Sequence, residues 1–236
     1  ALPISDFGRK DEVGILARSF DRMRINIQAG QVEIRRLAYW DRLTELPNRA
    51  QLREALQAAI LTQGSPSQGA VVVLDLDRFK HVNDVLGYAF GDQVLKAVGG
   101  RLSKLAADAS FLLARTGGGE FAVLLNGCDA GAAQVFAQQV ASAFEDPVSL
   151  DGQTVDISAS MGIACWPQNA ILVDELLGHA EVAMYAAKRK NLGILVYEEK
   201  LDFGSSQNLT LLSELRQAND FHIVYGDSSY FSLAAS

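Results

Sequence analysis

Three carboxylates and a run of glycines are the parts of this 236-residue sequence best equipped for chemistry. Asp75 and Asp77 close the apolar run AVVVLDLD, and Glu120 follows three glycines in RTGGGEF, Arg115 to Phe121. On a strand, residues i and i+2 point to one face, so Asp75 and Asp77 project together near the carboxyl edge of a sheet. Such an edge is a common ligand site. Glu120 comes beside them if its strand neighbours theirs. Two carboxylates, a backbone carbonyl and phosphate oxygens suit magnesium, which takes oxygen ligands and keeps several waters. The chemistry would be phosphoryl transfer, with cations neutralising charge and aligning an attacking oxygen. The glycines permit positive φ and let a phosphate approach backbone N–H groups. No Gly-Lys-Ser/Thr follows them and they do not spell GxGxxG, so a Walker loop and a dinucleotide fingerprint are both excluded. Taken alone, each Asp is equally a strand end and the glycines an ordinary hairpin turn.

Positioning these residues requires a sheet flanked by helices, and the sequence supplies the pattern. Asn48, after Leu46-Pro47, caps a helix striped by Leu52, Leu56, Ala59 and Ile60. A polar loop, TQGSPSQG (62–69), leads into the β-branched strand ending at Asp75. Helix-period sequence runs from about Asp84 to Leu105. A hairpin follows, from Phe111–Ala114 and Phe121–Leu125, then a helix over Ala130–Phe144. TVDISASMGIA alternates, with Val155, Ile157, Ala159, Met161 and Ile163 on one face of a strand. A helix over Val173–Arg189 and a last strand, GILVY, complete the order β-α-β-β-α-β-α-β. That order predicts an α/β sandwich of helices on a sheet with antiparallel pairs.

The opening segment has a different rhythm. Val13, Leu16, Phe20, Met23, Ile27, Ile34 and Leu37 fall on alternating three- and four-residue steps, broken only at Gly30. Such a seam predicts a parallel coiled coil, hence a homodimer, since the helix overruns any small domain it might otherwise pack on. Gly30 costs about 1 kcal/mol of helix propensity relative to Ala and marks a hinge. Near the other end, NLTLLSELRQAND is a short amphipathic helix, and SSYFSLAAS shows no period.

Composition narrows the class. With 49% apolar and 21% charged residues, the chain is globular rather than disordered. No apolar run approaches the roughly 20 residues of a membrane span. Ala1 in place of Met and the lack of a basic, then apolar, leader predict an excised fragment. A net charge of −7 tells against nucleic-acid binding. Cys128 and Cys165 lie in apolar sequence and read as reduced buried thiols. With three histidines and no CxxC, no zinc site is expected.

From about Asp41 to Tyr197 the sequence resembles a GGDEF domain, the module of bacterial diguanylate cyclases. DRLTELPNR, LDLDRFKHVNDVLGYAFGD, RTGGGEF, SMGIACWP and LLGHAEVAMYAAK match five family motifs in order and spacing. The resemblance implies a palm-like sandwich of helices on a central mixed, largely antiparallel sheet, carried behind a coiled-coil helix. It implies condensation of two GTP into cyclic di-GMP, with magnesium, by two domains facing each other. By position, Asp75 and the carbonyl of Leu76 match metal ligands, and Glu120 the signature's fourth-position acid. Asn83 and Asp92 match the pair that holds guanine, Lys188 a phosphate-binding lysine, and Phe79 and Lys80 the loop around the phosphates.

The departures from the family pattern bear on activity. The third signature position, acidic in active members, is Gly119; Leu192 replaces an arginine four residues after Lys188, with Arg189 and Lys190 as the nearby cations. Tyr88 stands for a histidine, Glu45 for a glycine, and DASF, Asp108 to Phe111, for the RxxD product-inhibition site. The sequence therefore predicts a degenerate domain that admits GTP and relays signals. An active cyclase and a dimerisation module without nucleotide are the alternatives. Residues 1–28 resemble the end of a HAMP domain, carried by Asp11-Glu12-Val13-Gly14, Leu16, Phe20 and Met23. Residues 29–41 continue as a signalling helix, 42–198 form the GGDEF domain, and LTLLSELRQANDFHIVY within 199–236 resembles the start of an EAL domain, the expected downstream partner. The HAMP likeness places the chain on the cytoplasmic side of an inner-membrane receptor.

Overall fold

A computed structural model describes residues 12–61, 68–106, 111–150 and 152–201. The first eleven HAMP-like residues, most of the 62–69 loop, Asp108 to Ser110 and the EAL-like stretch with its tail lie outside the described residues.

The apolar run before Asp75 forms β1 (Gly69–Leu76), the centre of the sheet. Its neighbours are β3 (Glu120–Asn126) and β6 (Ala159–Trp166), both antiparallel to it. β2 (Phe111–Gly117) pairs with β3, and β7 (Ile194–Val196) runs parallel to β6, giving the order β2-β3-β1-β6-β7. The two-residue period of β1 divides the core. Ala70, Val72, Leu74 and Leu76 belong to one buried cluster, with residues of α4 (Tyr88–Leu105) and α5 (Ala130–Ala143). Val71 and Val73 face the other, with residues of α2 (Arg49–Leu61) and α6 (Val173–Lys190). A strand covered on both faces reads as a continuous apolar run, and β1 does. The expected sandwich on a largely antiparallel sheet is the observed fold.

The local stops are where side chains meet orphan backbone groups. Asn48 Oδ1 accepts from the amides of Ala50 (2.9 Å) and Gln51 (3.1 Å) at the start of α2. Asp129 caps α5 in the same way through Ala132 N at 2.8 Å. Cys165 is buried and Cys128 half-buried, both free thiols, and burial pushes Cys165 up to about 11.

Two predicted elements are corrected. The helical stretch from Asp84 to Leu105 is two helices, α3 (Phe79–Leu86) and α4, divided at Gly87, whose φ of 83° and ψ of 158° no helix accepts. The alternation from Val155 to Ile163 spans two sheets. β4 (Val148–Leu150) and β5 (Gln153–Val155) form a separate hairpin, and β6 starts only at Ala159. The predicted N-terminal helix is α1 (Glu12–Tyr39), continuous through Gly30. Phe20, Met23, Ile27, Ile34 and Leu37 are exposed on it.

Candidate functional site

The residues singled out in the sequence gather at one end of β1. The β2–β3 turn is tight because Gly117 and Gly118 adopt φ of 151° and 47°, the second a left-handed value that side chains resist. The amide of Leu76 donates to the carbonyl of Gly119 at 3.1 Å, which pins the turn to the end of β1. Register then sets Asp75 directly opposite Glu120. Two carboxylates placed so repel each other. Burial first, then Asp75 and Glu181, raise the Glu120 carboxyl above the usual range, against Arg49 and Lys188.

Asp75 has a second neighbour. The ammonium of Lys188, from the last turn of α6, forms an ion pair with Asp75 Oδ2. Asp77 does not join them. Its carboxylate accepts from Ser158 Oγ at 2.9 Å and Ser160 Oγ at 2.8 Å. Asp77 lies in the turn after β1 yet keeps the face of Asp75, since Ser160, which donates to it, stands directly opposite Asp75 on β6; the two carboxylates share a face but not their partners.

A side chain at position 119 would press against Phe79. A Cβ there would lie 3.2–3.4 Å from Cδ1, Cβ and Cγ of Phe79. Phe79 opens α3, whose N-cap Arg78 is left-handed (φ 56°) and makes no side-chain cap bond. Such an uncapped N-terminus favours anions. Lys80 is exposed on its first turn. Asn83, on the same helix, lays its side chain over Gly91: a Cβ at 91 would fall 1.9 Å from Asn83 Oδ1. Asp92 follows Gly91 on α4 and is exposed. Tyr88 is exposed at the head of α4, and Leu192, Arg189 and Lys190 are exposed around the end of α6.

A magnesium pair asks for several free oxygen donors. Here Asp75 is held by Lys188, Asp77 by two serines, and Gly119 has no side chain. Among the described residues no three acidic, histidine or cysteine side chains converge as a metal group. The donors left, Asp75 Oδ1, Glu120 and the carbonyl of Leu76, are too few for two divalent cations.

Two linkages escaped the sequence reading. Arg115 Nη1 donates to both oxygens of Asp41 at 2.9 Å, and its Nη2 to the carbonyl of Gly118 at 2.8 Å. Asp41 also accepts from Thr44 N and Oγ1, at 2.9 and 2.7 Å. Asn48 ties this turn to α1 through the carbonyls of Tyr39 (2.9 Å) and Ala38 (2.8 Å). The end of α1 is therefore connected to the glycine turn by consecutive hydrogen bonds. The other linkage is Arg49 to Glu181, 3.1 Å apart, joining α2 to α6 and placing two further charges in the field of Glu120. The sequence signals were charged residues inside motifs already noted, Asp41 and Arg49 in DRLTELPNR, Arg115 in RTGGGEF and Glu181 in LLGHAEVAMYAAK.

Comparison with known proteins agrees with this geometry. Residues 38–192 match the family described as diguanylate cyclase, GGDEF domain. The chain is 36% identical over 200 residues to the signaling protein YkoW of Bacillus subtilis, covering 82% of this chain and 25% of that protein. It is 37% identical over 186 residues to the diguanylate cyclase TpbB of Pseudomonas aeruginosa, covering 78% of this chain and 42% of that one. The chain thus spans 25% to 42% of these relatives' lengths. A solved structure of the TpbB GGDEF domain superposes with a TM-score of 0.68 at 38% identity, covering 71% of this chain and 99% of that domain. The coiled coil and GGDEF domain of DgcB from Caulobacter crescentus shares the fold, with a TM-score of 0.66 at 24% identity, covering 77% of this chain and 96% of that one. Motifs, sheet order and similarity converge, and the chain belongs to the GGDEF domain family of diguanylate cyclases.

Proposed function

We propose that this chain is a cyclic di-GMP signalling module whose GGDEF domain binds GTP and relays the state of its N-terminal helix, rather than an efficient cyclase. The observation that carries the reading is Gly119, at the signature position where active members hold an acid. Losing one group that stabilises developing charge typically costs roughly a hundredfold or more in rate. The base-holding residues remain. The Asn83 amide donates to guanine's acceptors, and the Asp92 carboxylate accepts from its N–H donors. Lys80 and Lys188 supply cations for the phosphates, and the open N-terminus of α3 supplies backbone donors.

The relay runs from α1 through Asn48 and Asp41 to Arg115 and the carbonyl of Gly118. A nucleotide at the turn shifts the helix only as far as its affinity differs between two arrangements. In the whole protein, a HAMP segment above and an EAL-type domain below would be the relay's two ends, on the cytoplasmic side of an inner membrane.

A second reading, an active cyclase, is favoured by Asp75 and Glu120 standing opposite each other and by the similarity to the diguanylate cyclase TpbB. One pair of measurements separates the readings. Purified chain incubated with GTP and magnesium is expected to make no cyclic di-GMP beyond a trace, and multiple turnover overturns the relay. Calorimetry is expected to give micromolar GTP binding, weakened at least tenfold by Asn83→Ala or Asp92→Ala. No binding at all would leave only a dimerisation module.

A further inference from the structure

Lys188 reaches Asp75 from the last turn of α6, across the sheet, and its side chain is 38% exposed while that of Asp75 is 24% exposed. The pair sits at the rim, where a ligand can touch it. An ammonium has three donors. Asp75 takes one, and the others are available to a phosphate oxygen at the same place. A divalent cation at a phosphate site does the same two things: it binds the protein's carboxylate on one side and the ligand's oxygens on the other. Any such cation must also share Asp75 with Lys188, which already engages Oδ2.

Charge favours the lysine. Two metal ions are held where several carboxylates offset them, and here one of those is absent at Gly119. The Phe79 side chain stands close against that position. Asp77 is committed to Ser158 and Ser160. Against a triphosphate stand Lys188, the exposed Lys80 and the uncapped start of α3.

We propose that Lys188 takes the place of a divalent cation, so that this site holds a nucleoside triphosphate without magnesium, its ammonium bridging Asp75 and the phosphates. The inference rests on the nucleotide-binding reading above and adds to it which ionic form is bound.

The experiment is a calorimetric titration of the full chain with GTP, once in EDTA and once in excess magnesium chloride. The expected result is two dissociation constants within fivefold of each other. Binding tighter in magnesium by more than fivefold overturns the inference and leaves the nucleotide-binding reading standing. No binding in either buffer removes both. Lys188→Gln keeps the stem and drops the charge, and is expected to weaken binding in EDTA at least tenfold. Equal affinity of variant and parent in EDTA also overturns the inference.

Discussion

Glu45 is one of three non-glycine residues with positive φ among the described residues, at 57°. The resemblance implies glycine at this position, and the left-handed backbone suits glycine better than glutamate. A left-handed conformation costs an L-residue about 1–2 kcal/mol, and glycine returns roughly 0.5–1 of that as chain entropy. The compensation visible for Glu45 is an ion pair with Arg36 at 3.5 Å, with both side chains well over half exposed. Pairs of that kind contribute little. Glu45→Gly is therefore expected to raise the melting temperature by about 1–4 °C. A fall on thermal unfolding would show that the left-handed position is not strained. Gly119 is the opposite case, a position whose backbone tolerates any residue while its surroundings have closed on it. Restoring an acid there requires the Phe79 ring to yield by a few tenths of an ångström.

At the scale of elements, the junction between α1 and the sheet is held by Asp41 and Arg115, whose side chains are 22% and 12% exposed. Burial pushes the Asp41 carboxyl up, but the Thr44 hydroxyl and amide together with Arg115 outweigh it and hold the group below its ordinary value of 3.8. A depressed carboxyl stabilises the fold at pH above the unfolded value and loses that contribution as pH falls through the folded one. Arg115→Ala leaves Asp41 half-buried with its cation gone, which is expected to cost about 2 kcal/mol at pH 7. The deficit relative to the parent should shrink on acidification, as the unfolded chain takes up a proton at Asp41 while the folded parent still resists it. Urea unfolding of both proteins at pH 7 and pH 3.5 checks this, and a deficit that does not shrink would remove the pair from the account. Glu120 has the reverse sign: its raised carboxyl costs stability once ionised. It is shared by both proteins and cancels in the comparison.

The whole molecule presents an apolar seam that its own domain does not cover. Tyr39 Oη donates to Glu54 at 2.7 Å where α1 meets α2, yet Phe20, Met23, Ile27 and Ile34 further back are each more than half exposed. A three- and four-residue repeat left open on a 28-residue helix is suited to a second copy of the same helix. Light scattering at tens of micromolar is expected to return the mass of two chains for the parent and of one for Met23→Asp with Ile27→Asp. A monomeric parent would remove the coiled coil and the input end of the relay with it.

Much of the fold was legible because its signals are local. The β-branched run of β1, the caps at Asn48 and Asp129, and the stripe of α2 each follow from residues close in sequence. The break at Gly87 and the separation of β5 from β6 were not, because apolar spacing continues across both while the backbone turns. The sequence by itself determined the family pattern, the sheet-and-helix alternation and the glycine at position 119, where the resemblance implies an acid. Only the tertiary structure decided what surrounds that glycine. It brought Lys188 to Asp75 across 113 residues, Arg115 to Asp41 across 74, and the Phe79 ring onto Gly119. Those contacts depend on β1 lying between β3 and β6 with α6 packed over them, an arrangement fixed by burying both faces of one strand rather than by any short-range pattern.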